Sequence, residues 1–101
     1  MARTTLNEMK TRRLDQMSTA ERAEFDATYA ATKLALEVGG QVRDARETAG
    51  LSQRELASRM GTSQAAIARL EAGGVGATLT TLQKVATALQ LEVSVLLLPA
   101  S

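Results

Sequence analysis

The chain has no cysteine, no histidine and no tryptophan, and its aromatic residues are one tyrosine and one phenylalanine in 101 residues. Without cysteine there is no disulfide framework, no thiolate nucleophile and no thiolate-ligated zinc. Without histidine the commonest general base and the commonest metal ligand are gone. No charge sign dominates: twelve basic and eleven acidic side chains leave a net charge of +1. The longest apolar run, Val95-Leu96-Leu97-Leu98, is far too short to cross a bilayer. Met1-Ala2-Arg3-Thr4-Thr5 is not followed by an apolar stretch, so no secretory signal is expected there. These absences lead us to expect a cytoplasmic binding protein without cofactor, metal or membrane contact, and not an enzyme. A chain of this length supports one domain with an arm. Folding removes only about 60–70% of its unfolded surface from water, so self-association would help it.

What is present is unevenly spread. Residues 1–13 carry Arg3, Lys10, Arg12 and Arg13 against Glu8, whereas residues 14–30 carry Asp15, Glu21, Glu24 and Asp26 against Arg22. Two different surfaces are compatible with this pattern. The sequence then reads as helix after helix. Thr5-Leu6-Asn7-Glu8, Ser18-Thr19-Ala20-Glu21 and Ser52-Gln53-Arg54-Glu55 each fit a capping box, in which a hydroxyl takes a free amide and the glutamate reaches back. Phe25 and Tyr29, four apart, share a face of the second helix. Gly39-Gly40 is its one internal weakness, a bend or a close packing point. Leu34, Val38, Val42, Ala45 and Ala49 form an apolar stripe at helical spacing, closed by Gly50. Later helices are expected to bury Leu56, Ala57 and Met60, then Ile67 and Leu70, then Leu79, Leu82, Val85, Ala86 and Leu89.

The tail changes period. Leu91, Val93, Val95 and Leu97 alternate with Glu92, Ser94 and Leu96, which is strand spacing, and Pro99 ends it. A single strand cannot satisfy its own backbone groups, and no other segment reads as one. The expected partner is the same strand of a second copy, paired about a two-fold axis in a homodimer.

Residues 51–71 hold two short helices joined by a turn beginning at Gly61, which is helix-turn-helix spacing. The outer face of the second helix carries Gln64, Ala65, Ala68 and Arg69. Glutamine can bond adenine twice, arginine can bond guanine twice, and an alanine methyl can touch a thymine methyl. The bland alternative is an ordinary helical hairpin whose polar face is solvated.

The runs Gly50-Leu51-Ser52-Gln53-Arg54-Glu55-Leu56-Ala57, Met60-Gly61 and Ser63-Gln64-Ala65-Ala66-Ile67-Ala68-Arg69-Leu70-Glu71 resemble the Xre/Cro-type helix-turn-helix of phage and bacterial repressors. The resemblance covers roughly residues 38–90. It implies an all-α, five-helix lambda-repressor-like domain over 34–90, to which the chain's own pattern adds a helical extension over 1–33 and a C-terminal strand over 91–101. It also implies that Gln53 contacts a phosphate, that Gln64, Ala65 and Arg69 read bases with Thr62 and Ser63 at the backbone, and that Arg46 pairs with Glu71. Arg54 and Ala68 complete the expected DNA-facing set. The loop Gly73-Gly74-Val75-Gly76 departs from the family in having no charge. The layout beyond the motif is similar to HigA-type antitoxins. That similarity implies a dimeric repressor of its own operon, bound to a near-palindromic operator, that also sequesters a basic RelE/HigB-like endoribonuclease toxin. The expected toxin surface is Asp15, Glu21, Glu24, Phe25, Asp26 and Tyr29, although Phe25 and Tyr29 equally suit internal packing. A stand-alone repressor without a toxin is the alternative, and an interaction protein that buries Gln64 and Arg69 against another protein is a third reading.

Overall fold

The computed structural model describes residues 17–100. Among them are four helices: α1 (Thr19–Thr48), α2 (Gln53–Met60), α3 (Gln64–Gly73) and α4 (Leu79–Leu89). The capping box at Thr5, the short helix expected after it and Asp15 lie outside the described residues. The chain divides between Thr32 and Lys33 into two units.

In the first unit, the Ser18 hydroxyl accepts from the Glu21 amide at 3.1 Å and opens α1, which is the hydroxyl half of the expected capping box; the Glu21 carboxylate does not reach back. Glu21, Glu24 and Asp26 are exposed, Phe25 is half-buried and Tyr29 is half exposed.

The second unit builds a core around α2 and α3. Leu56, Ile67 and Leu70 are its fully buried large side chains, joined by Val42, Ala57, Val85 and Leu89. Met60, Leu82, Ala45 and Leu51 pack against them, partly buried. From α1, Gly39, Val42 and Arg46 are buried, a 3–4 spacing that keeps one helical face inward. Gly39 is a packing point and not a break. A Cβ there would stand 2.6 Å from the Leu70 carbonyl oxygen and 2.7 Å from that of Glu71. Gly40 has nothing within 4 Å, so the pair leaves α1 uninterrupted.

Three expectations are corrected. Four helices are described, not five, because α1 runs unbroken from Thr19 to Thr48. No strand occurs among the described residues: Leu91, Val93, Val95 and Leu97 lie in an exposed segment without regular structure. A lone extended segment has no ladder to join within one chain. At the edges of the core, Leu79 is 69% and Leu34 61% exposed. Leu79 opens α4 at its first turn, and Ala49 falls beyond the end of α1 and is exposed.

Candidate nucleic-acid interface

Local chemistry sets the two motif helices. Ser52 caps α2 with both halves of the capping box in place: its hydroxyl accepts from the Glu55 amide at 3.0 Å, and the Glu55 carboxylate accepts from the Ser52 amide at 3.1 Å. Those hydrogen bonds hold the Glu55 carboxyl below the usual carboxylate range. Gly61 ends α2 with φ +68°, a left-handed turn that a Cβ would strain. Ser63 caps α3, its hydroxyl accepting from the Ala66 amide at 3.1 Å. Gly74 closes α3 at φ +70°, and a Cβ there would also run into the Ala35 backbone and side chain.

Behind α3, the Arg46 guanidinium forks onto Glu71. Its Nε donates to Oε2 at 2.7 Å and its Nη2 to Oε1 at 2.9 Å. The two side chains are 10% and 3% exposed. The Arg46 Nη1 donates to the Leu51 carbonyl at 2.7 Å, which ties the pair to the residue before the α2 cap. Burial pushes the Glu71 carboxyl up, but the hydrogen bonds from Arg46 and Gln53 and the Arg46 charge outweigh it and hold the group below its ordinary value. The bond to Glu71 raises Arg46 in turn.

In front, Thr62, Ser63, Gln64, Ala65 and Arg69 are exposed and Ala68 is half-buried. Ala68 lines a shallow recess with Arg43, Arg46, Gln53, Glu71 and Ala72. At 100° per residue, positions 64, 65, 68 and 69 cover one side of α3 and positions 67 and 70 the other. The buried Ile67 and Leu70 therefore hold the helix from behind while the polar set stays open. Gln53 is half-buried and donates its side-chain amide to Glu71 Oε1 at 3.2 Å, so part of it serves the ion pair. Arg54 is exposed and donates to Gln64 Oε1 at 3.5 Å. Arg59 donates to the Ala88 carbonyl at 3.3 Å and ties α2 to the end of α4.

Sequence reasoning missed four of these links, the Arg59–Ala88 bond among them. The Leu51 carbonyl, the Gln53–Glu71 bond and the Arg54–Gln64 bond depend on side-chain directions across a turn, for which spacing holds no signal. Among the described residues no His, Cys, Asp and Glu grouping fits a metal ion, and no helix is long and apolar enough to cross a membrane.

No curated protein matches the chain. A family model described as helix-turn-helix matches residues 42–96, just over half of its length, and takes in all of α2, α3 and α4. Two capped helices joined at a left-handed glycine, a buried fork behind the second and an open polar face in front of it agree with that match: the chain belongs to the Xre/Cro-like helix-turn-helix family, a domain that suggests a DNA-binding transcription regulator.

Proposed function

We propose that this protein is a dimeric, sequence-specific repressor of its own operon and the antitoxin of a toxin–antitoxin pair, a cytoplasmic binding protein and not an enzyme. The observation that carries the DNA half is the exposed outer face of α3, braced by Ile67, Leu70 and the Arg46–Glu71 pair. Each copy lays α3 in a major groove. The first-turn amides of Gln64 and Ala65, which have no helical partner, suit a phosphate, while Gln64, Ala65 and Arg69 face base edges. Gln53, Thr62 and Ser63 border the backbone. A two-fold axis sets half-sites about 34 Å apart or a multiple of it, so the operator is a near-palindrome.

The dimer reading draws support from the apolar residues left open in one copy. Leu91, Val93, Val95, Leu96, Leu97 and Leu98 are exposed, as are Leu34 and Leu79. A groove of about 530 Å³ runs between α1, α4 and this tail. A second copy seated on these side chains would take them out of water.

The antitoxin half rests on the first unit, where Glu21, Glu24 and Asp26 are exposed around a helix that also carries Phe25 and Tyr29. A basic partner protein suits it. The alternative, a stand-alone repressor, needs no such partner. Selection of bound sites from a random duplex pool tests DNA binding, symmetry and half-site spacing together; no enriched sequence removes the DNA reading. Copurification of the full chain with a small basic protein, lost when Glu21, Glu24 and Asp26 are changed to lysine, tests the antitoxin reading. A native chain that purifies alone from its own cells favours the stand-alone repressor.

A further inference from the structure

Arg54 and Gln64 meet across the turn, with Arg54 Nη2 donating to Gln64 Oε1 at 3.5 Å. A guanidinium has donors only, so the atom facing it is the amide oxygen and not the NH2 group. Both backbones are pinned, α2 by the Ser52 capping box and α3 by the Ser63 hydroxyl. Among the described residues Arg54 forms no ion pair with a carboxylate. Arg54 is left with Gln64 as its acceptor, and the NH2 of Gln64 has no partner among the described residues.

This division of the amide has a consequence for base reading. Adenine shows an acceptor at N7 and a donor at N6, so a glutamine reads it fully only with the oxygen and the NH2 of its amide both turned to the base edge. Guanine shows two acceptors, N7 and O6, which suit an amide reduced to its NH2. We propose that Arg54 sets the base preference of Gln64, holding its oxygen towards the guanidinium and away from the base edge, and so turning a side chain suited to adenine into one that favours guanine. Arg54 acts here as a positioning residue. The proposal rests on the DNA-reading role of α3.

The test is site selection from a random duplex pool by the full-length native chain and by the Arg54→Met, Arg54→Ala, Gln64→Ala and Arg54→Met/Gln64→Ala variants. Arg54 is exposed, so both of its single variants are expected to keep the native melting curve. At one position of the half-site the native chain selects guanine, and Arg54→Met and Arg54→Ala select adenine. The swing in the guanine-to-adenine ratio is about tenfold. Gln64→Ala and the double variant show no preference there. An unchanged base at every position in the Arg54 variants, or a swing in the opposite sense, overturns the proposal. Guanine retained by Gln64→Ala also overturns it, because Arg54 would then read the base itself. If the native chain enriches no duplex at all, the DNA-reading surface fails and this assignment fails with it, an outcome distinct from the others.

Discussion

Arg46 and Glu71 show how one buried pair can brace a helix whose other side must stay open. Removing one partner leaves a charge with little water around it, which costs about 3–5 kcal/mol. Glu71→Ala is therefore expected to lower the urea midpoint of unfolding strongly, and Arg46→Met/Glu71→Leu to recover much of the loss. The pair also fixes a pH dependence. The Glu71 carboxyl titrates below its unfolded value, so its contribution is complete above about pH 4.3, the ordinary glutamate value, and is lost as pH falls through the lower, folded one. Glu55 acts in the same direction. Urea titrations from pH 7 down to pH 3 are expected to show stability falling at the acid end, and less steeply in the Arg46→Met/Glu71→Leu variant. Arg69 is a different case, exposed and outside the core. Arg69→Ala should leave stability alone, cost about 1–3 kcal/mol of specific DNA affinity and relax one base position, as read by titration against the selected site.

At the scale of elements, neighbouring glycines in α1 have opposite roles. Gly39 lies against the Leu70 and Glu71 carbonyls, which cannot swing away as a side chain would. Gly39→Ala is expected to cost about 1–3 kcal/mol, the usual range for overpacking. Gly40 faces open space inside a helix, and Gly40→Ala should stabilise by about 0.5–1 kcal/mol through propensity alone. Thermal melts of the two single variants, moving in opposite directions, check this. The doublet was legible in the sequence as a weak point, but which glycine touches a neighbour depends on the direction α3 takes. Helix starts were more legible. Ser18, Ser52, Ser63 and Thr78 all cap where hydroxyls precede apolar periodicity. The end of α4 was not, because Gln90 takes a left-handed φ of 58° without being glycine or asparagine. The core of α2 and α3 was also readable, since Leu56, Ala57, Ile67 and Leu70 sit at helical spacing and are buried. The outer polar set followed as the complement of that face. What spacing did not supply was the coupling between side chains of different helices: Gln53 reaches back to Glu71, and Arg54 reaches over to Gln64.

For the whole molecule, the exposed apolar tail is the feature that bears on assembly. Strand periodicity at Leu91, Val93, Val95 and Leu97 contrasts with the absence of regular structure over residues 91–100 in a single chain. The two are compatible if the ladder forms only between copies. Val93→Asp/Val95→Asp places like charges on both sides of such a seam. Light scattering is expected to give a dimer for the native chain and a monomer for this variant, and the variant should lose affinity for a two-half-site duplex more than for a single half-site. A native chain that scatters as a monomer sinks the symmetric arrangement.

Besides the Arg46–Glu71 fork, α1 meets α3 at two glycines with no side chain of their own, Gly39 against the Leu70 and Glu71 carbonyls and Gly74 against Ala35. Peptide groups are the same in every protein, so this mounting is indifferent to the letters written on the outward side of α3. A library randomised at Gln64, Ala65 and Arg69 should thus yield many members that melt like the parent yet pull different duplexes from the same pool, giving interchangeable reading heads on one chassis.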